Sequence, residues 1–240
     1  MNNITAIEDI FEVINVIFWA ASYYILIYDI IKTNTGDGFS IDYQLLAISS
    51  SIYYAVYSIS IVFNGEQTFI TITDAIFAFH GVIAGIMVLI VTFVYPRNIN
   101  KLDISVLAIL MIGLSMILLY YLIGIYGGYA PLNDLWLFIG ISKVIITTVK
   151  YTYQVLLNYD RKSTYGFAIG NIYLDFFGSL ASVIQLSIEF YLIENYVINI
   201  AKVLLTSVSI VMDIVLFFQH YILYSKPKHN RVSLTQKFIE

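Results

Sequence analysis

The chain contains no cysteine, and only 12% of its residues are charged. Without cysteine there is neither a disulfide framework nor a thiolate to hold zinc. A soluble domain carries about 25% charged residues, so this chain is short of water-facing surface. Apolar residues take the place of the missing charge, at 60% of the chain with a mean hydropathy of +0.83. The composition excludes an ordinary soluble domain and indicates a polytopic membrane protein. The opening residues, MNNITAIEDIFEV, lack a cationic stretch and a small-residue cleavage site. The first apolar run is therefore expected to serve as both targeting signal and first span. Nucleophile–base pairs and metal-ligand spacings are also lacking, so nothing in the chain suggests an enzyme.

A spanning helix needs about 20 mainly apolar residues. Seven such runs are read, at about 10–31, 43–63, 69–95, 102–126, 135–157, 168–191 and 198–224. The joints between them carry turn chemistry, as in TNTGDG, PRNINK and NYDRKSTYG. Lys32, Arg97, Lys101, Arg161, Lys162 and the tail residues Lys226, Lys228, Arg231 and Lys237 follow the odd-numbered spans. Glu8, Asp9, Glu66, Asp134, Glu189 and Glu194 lie at the opposite ends. The positive-inside rule then sets the N-terminus on the lumenal or external side and the tail in the cytosol. The Asn3-Ile4-Thr5 sequon falls on the lumenal side, too close to the membrane to expect its use.

An internal repeat is legible. GFSI (Gly38–Ile41) aligns with GFAI (Gly166–Ile169), and one residue of gap sets Tyr24 opposite Tyr153 and Asp29 opposite Asn158. Both copies join an odd span to an even one, so the two units enter the membrane with the same polarity. The expected fold is an all-α membrane protein with seven transmembrane helices, two parallel three-helix repeats joined by a linker helix. The expected divisions are a first repeat over 1–95, a linker over 96–132, a second repeat over 133–225 and a cytosolic tail over 226–240. Parallel repeats related by an axis along the membrane normal are a transporter arrangement, with the substrate held near the midplane.

Polar residues interrupt the apolar spans at helical spacing. Lys143, Thr147, Lys150, Gln154 and Asn158 form one stripe, and Asn171 and Asp175 share a face. Lys202, Thr206, Ser209, Asp213 and His220 form another, and Asp74 and His80 lie in the third span. His220 reads as an interfacial residue near the cytosolic end. Trp19 and Tyr23, four residues apart, are candidates to line a site. An ionised carboxylate at mid-membrane costs roughly 2.5–3.5 kcal/mol on insertion scales. Each stripe alone can be a packing ion pair, but three converging stripes indicate a wet cavity. Lysines and aspartates together suit a substrate bearing both charges, such as an amino acid. Burial disfavours an ionised carboxyl, so a carboxyl that opens alternately to an acidic and a neutral side can carry protons. A lysine in the last span also invites a retinal protein, but Lys202 stands near its start.

The segments KYTYQVLLNYDRKSTYGFAIGNIYLDFFG, KVLLTSVSIVMDIVLFFQHYILY and ITDAIFAFH resemble the cystinosin family of PQ-loop proteins, which are lysosomal cystine–proton symporters. The resemblance runs from about Trp19 to Tyr224 and is most specific in the second half. It implies the three-plus-one-plus-three arrangement, protons as the coupling ion with no cofactor or metal, and cystine or a related amino acid as the small-molecule substrate. It implies a location in the lysosomal or another acidic-organelle membrane, membrane lipid as surroundings and no nucleic-acid partner. Carried over by residue, Asp175, Asp213 and Asp74 match proton-coupling aspartates. Asn171, Asp175, Lys202, Lys150, Tyr151, Gln154, Asn158 and Lys143 match residues at or around the substrate. The chain departs from the pattern at Tyr153, where the second motif has proline, and at Tyr24-Ile25, where the first has Pro-Gln. Ala47 stands where the family has a substrate-binding asparagine. No counterpart of the family's large lumenal domain or of its tyrosine-based sorting signal is read. The alternative reading is a membrane receptor of the same scaffold that binds a lumenal ligand without transporting it.

Overall fold

The computed structural model describes residues 2–64, 72–95, 132–192 and 200–225, with scattered positions between 106 and 128. Six helices are continuous: α1 (Asn2–Thr33), α2 (Ile41–Asn64), α3 (Ile72–Val94), α4 (Leu132–Arg161), α5 (Ile169–Leu192) and α6 (Ile200–Phe218). A π-helical turn, Gln219–Leu223, extends α6. Among the described residues there is no strand. The fourth expected span lies mostly outside the described residues, as do Glu66, Arg97, Lys101, Glu194 and the tail. The count of seven helices is therefore six continuous ones plus isolated helical positions. Of those positions, Val106 is buried against Leu46 and Ile146, and the Tyr120 ring stacks on Phe138.

Four helical stretches are long and apolar enough to cross a membrane, namely Ala6–Thr33, Ile72–Val94, Ile169–Tyr191 and Ile200–Leu223. Their outward faces are apolar, as with Ile76, Ile83 and Ile90 of α3 and Val211, Ile214 and Phe218 of α6. The polarity is turned inward, because lipid cannot satisfy a polar side chain. The remaining two helices, α2 and α4, carry more of that polarity and pack extensively on each other.

The main neighbours form a pattern. α1 packs on α5 and α2 on α4; α2 lies on α3 and α5 on α6; α1 lies on α3 and α4 on α6. Exchanging the triplet α1–α3 with the triplet α4–α6 leaves this list unchanged. The local geometry repeats as well. Asn34 and Lys162, which follow α1 and α4, are the two non-glycine residues with positive φ among the described residues, at 50° and 49°. A left-handed residue at this place ends a helix. Both loops then return to a helix beginning on isoleucine, Ile41 or Ile169.

The burial phase corrects the repeat register. The inward face of α1 consists of Glu12, Asn15, Ser22, Leu26 and Ile30, and that of α4 includes Gly140, Lys143, Tyr151, Gln154 and Asn158. These faces, the loops and the later helices superpose at one constant offset with no gap. Ile25-Leu26, not Tyr24-Ile25, is the counterpart of Tyr153-Gln154, and Ile30, not Asp29, is the counterpart of Asn158. The gapped alignment matched tyrosines by letter. Tyr24 is half exposed and bonds His80 (2.8 Å), whereas the buried tyrosine of α4 is Tyr151, which corresponds to Tyr23.

Two pairs of counterparts meet each other directly. At one end Gly38 lies against Gly166, so closely that a Cβ on Gly38 would overlap the Gly166 backbone. Gly166 also has φ +78°, where a side chain is strained. At the other end Lys202 Nζ lies 3.9 Å from Asp74 Oδ2, both buried. A residue that touches its own counterpart lies beside the axis relating the two halves, so these contacts mark that axis at both ends.

Candidate functional site

A cavity of about 90 Å³ lies between the two triplets, several times the roughly 10–15 Å³ that one water needs. Trp19, Tyr23, Lys143, Lys150, Tyr151, Asn171 and Asp175 all line it. Their helical spacing explains this: Lys143, Thr147 and Lys150 face one way on α4, and Asn171 and Asp175 one way on α5.

Asp175 is held from two sides. The Tyr151 hydroxyl donates to its carboxylate, and the Trp19 indole N–H donates to its backbone carbonyl at 3.1 Å. The indole packs against Gly178, one turn further along α5, where any larger side chain would displace it. Lys150 Nζ lies 4.6 Å from the centre of the Tyr151 ring and 5.1 Å from that of Tyr43. The negative face of each ring attracts the ammonium. Lys143 Nζ sits 3.2 Å from the centre of the Tyr54 ring. Through these contacts both cations stay within the cavity wall while partly desolvated.

Five of the expected site residues lie outside the cavity wall: Asp74, Lys202, Asp213, Gln154 and Asn158. Asp74 accepts from the Tyr54 hydroxyl at 2.8 Å and pairs with Lys202. Through Tyr54, which lines the cavity and carries Lys143 above its ring, this buried pair is connected to the cavity wall. Asp213 is fully buried on α6, and neither of its carboxylate oxygens has a hydrogen-bond partner among the described residues. The charges of Asp175 and Lys150 act on it. An ionised carboxylate so placed is costly, and neutralisation removes most of the cost.

Gln154 and Asn158, which the resemblance places around the substrate, belong to a buried hydrogen-bond network. Gln154 Nε2 donates to Gly38 O (3.0 Å) and to Asn158 Oδ1 (3.0 Å), and Gln154 Oε1 accepts from Ser40 N (3.1 Å). Asn158 Nδ2 donates to Gln219 Oε1 at 3.0 Å, and Gln219 Nε2 donates to Val155 O at 3.0 Å. The network ties the loop of one triplet to the helices of the other, next to the Gly38–Gly166 contact. Its members are all but inaccessible in this conformation and do not line the cavity.

The α6 stripe holds for Lys202, Thr206, Ser209 and Asp213, then continues to Leu216 and Gln219 rather than to His220. His220, within the π turn, has Nδ1 2.8 Å from Thr164 Oγ1. His80 lies away from the cavity, beside Tyr24. Sequence reading missed Glu12, Asn15, Gln185 and Glu189, which are buried on the facing sides of α1 and α5. Gln185 Nε2 donates to Glu189 at 3.0 Å. Their four-residue spacing was visible, but acids close to span ends read as interfacial. Carboxylates of Glu8, Asp9 and Glu12 come within 4.8 Å of one another near the start of α1, the one grouping of potential metal ligands among the described residues, and they do not line the cavity.

Comparison with known proteins agrees with this geometry. The PQ loop repeat matches residues 135–195, which contain Lys143 through Asp175. The Arabidopsis thaliana cystinosin homolog is 29% identical over 229 residues, covering 88% of this chain and 83% of the relative. Bos taurus cystinosin is 26% identical over 241 residues, covering 94% of this chain, which spans 65% of the bovine protein. The Dictyostelium discoideum cystinosin homolog is 27% identical over 88% of this chain and 78% of its own length. The chain is thus similar to cystinosins over most of its length, in line with the resemblance read from about Trp19 to Tyr224.

Proposed function

We propose that the protein is a proton-coupled transporter that moves cystine or a related amino acid from an acidic organelle lumen, such as the lysosome's, to the cytosol. The observation that carries this reading is the presence of Asp175, Lys150 and Lys143 on one cavity wall, with the unbonded carboxylate of Asp213 behind it. Both signs of charge at one small cavity fit a zwitterion. Its carboxylate meets the lysines, and its ammonium meets Asp175. Asp175 and Asp213 take up and release the proton, since the two carboxylates act on each other and on Lys150. A proton gained by either changes what the other and the lysine can hold.

The orientation inferred from the basic loops puts Gly38, Gly166 and the Gln154 network on the cytosolic side. That closure separates the cavity from the cytosol in the conformation described, and alternating access requires Gln154 to release Gly38 and Ser40. The Asp74–Lys202 pair lies toward the lumen. The test is uptake into proteoliposomes of the full chain, with radiolabelled cystine and an amino-acid panel, at equal pH and with an inward proton gradient. We expect the gradient to accelerate uptake about 10-fold or more, and Asp175→Asn to abolish the acceleration. Uptake indifferent to the gradient, or unchanged in Asp175→Asn, overturns the reading. Binding without any flux would favour the receptor.

A further inference from the structure

Buried polar side chains continue from the cavity along the seam between α5 and α6. These helices run antiparallel and meet at Ser182 and Thr206, whose hydroxyls lie 3.0 Å apart. One turn nearer the cytosolic end come Ser179 and Ser209, and the next turn brings Asp175 and Asp213. In the lumenal direction follow Gln185 and Lys202, then Glu189. Of the side chains outside the cavity, Ser179, Ser182, Gln185, Glu189, Thr206 and Asp213 are each no more than 1% exposed. Ser179 Oγ, Gln185 Oε1 and both carboxylate oxygens of Asp213 have no hydrogen-bond partner among the described residues. Buried polar groups as a rule are bonded, to protein or to ordered water, and hydrocarbon offers no donor. The first triplet lacks this row. The counterparts of Thr206, Ser209 and Asp213 are Ala78, Gly81 and Gly85, and those of Ser182 and Gln185 are Tyr54 and Tyr57. There the Tyr54 and Tyr57 rings stack, and Ile48 and Gln44 occupy the space over Gly85. The shared fold packs without the hydroxyls, so packing does not account for them.

We infer that the α5–α6 seam is a hydrated file that leads protons, but not substrate, from the lumenal end to Asp213 and Asp175. The inference rests on the proton-coupled reading above and supplies its lumenal proton route. At the lumenal end the charges of Glu189, Asp9, Glu12 and Lys202 all act on Glu8. A proton taken up there passes along water and hydroxyls by exchange of hydrogen bonds and ends on a carboxylate. One proton leaves the lumen, one carboxylate is neutralised, and no other bond changes. Intramembrane acids beside water are the usual parts of such relays. At the inner end Asp213 faces Asp175 of α5, Lys150 and Tyr151 of α4 and Tyr43 of α2. Because the Ser182 and Thr206 hydroxyls touch, an amino acid cannot pass between them, whereas a proton can. Ser209 and Asp175 line the cavity, so the file meets the substrate only where coupling needs it.

The chain contains no cysteine, so single thiols can be placed in the file without background. Full-length Ser182→Cys, Thr206→Cys and Ala181→Cys are reconstituted in liposomes in one orientation and exposed to silver ion, a water-sized thiol probe. Free thiol is then counted with a maleimide after denaturation. Ala181 is buried too, but stands about 100° round the helix from Ser182. Silver applied from the lumenal side should block the Ser182→Cys and Thr206→Cys thiols at least 10-fold faster than the Ala181→Cys thiol. It should also block them at least 10-fold faster than silver applied from the opposite side. Equal rates at all three positions, or faster access from the cytosolic side, overturn the inference, and this readout needs no transport. In the uptake assay, Thr206→Val should lower the acceleration by a proton gradient at least threefold, and Thr206→Ser should restore it. Wild-type acceleration in Thr206→Val, or none in Thr206→Ser, overturns the proton route even if the file is wet. Wild-type uptake indifferent to the gradient removes the coupling reading instead, and silver access alone then decides whether the file is open to the lumen.

Discussion

The two triplets share a backbone and differ in what they place along it. On α4 the inward stripe reads Lys143, Lys150, Gln154 and Asn158; at the matching positions α1 has Asn15, Ser22, Leu26 and Ile30. At the Gly38–Gly166 end, Gln154 and Asn158 reach across to the other triplet's loop and to Gln219, whereas Leu26 and Ile30 join the apolar core with Phe39, Tyr43 and Ile172. Even the helix starts differ. Ser40 Oγ accepts from Tyr43 N (3.2 Å), but its counterpart Ala168 has no side chain to cap α5. Helix packing therefore depends on shape and small residues that both halves keep, while chemistry depends on polar groups that only one half needs.

This contrast can be broken most severely at the axis. Gly166→Ala adds a Cβ 3.2 Å from the Gly38 backbone at a φ of +78°. Such strain costs on the order of 1–3 kcal/mol, and we expect a clear fall in the detergent melting temperature and in transport. Gly38→Ala, which drives its methyl into the Gly166 backbone, should do at least as much. Recovery of wild-type melting by either variant would show that the loops do not touch. Next in size is Gln154→Leu, which gives the second triplet the first one's residue. It strands the Ser40 N–H and Gly38 carbonyl, at about 1–3 kcal/mol for a buried group left unbonded. Chain opening at this end, read by hydrogen exchange of residues 36–40, should rise; unchanged protection would mean that the bond is dispensable.

Lys202→Met leaves Asp74 with a buried charge and should cost about 3 kcal/mol, as breaking buried pairs does. Adding Asp74→Asn should recover much of that loss, and additive effects in the double-mutant cycle would refute a direct pair. The smallest change is Trp19→Phe, which removes the 3.1 Å bond to the Asp175 carbonyl. One such bond is worth about 0.5–1.5 kcal/mol. A weakened substrate affinity with little change in melting would assign Trp19 to positioning Asp175.

Much of this was legible in the sequence, and the exceptions have physical reasons. The stripes on α4 and α5 were readable because a straight helix keeps phase, and seven of the expected residues line one cavity. Phase alone did not decide the end of α6: Gln219 is buried through its bonds to Asn158 and Val155 of α4, while His220, which the stripe reached, bonds Thr164. The repeat register slipped because identical letters at Tyr24 and Tyr153 outweighed burial, which no letter records. Glu12 and Glu189 were passed over because acids near span ends ordinarily face water. The Gly38–Gly166 contact depends on two loops far apart in sequence, and spacing along one helix carries no information about it.

The ion pair between Asp74 and Lys202 has a consequence for the history of the chain. In a dimer of identical three-helix units, a residue lying on the symmetry axis can meet only itself. Glycine against glycine survives that condition; aspartate against lysine does not, since a symmetric assembly would set carboxylate on carboxylate or ammonium on ammonium. The attraction at this end can exist only once the two copies are encoded separately, so duplication had to come before it.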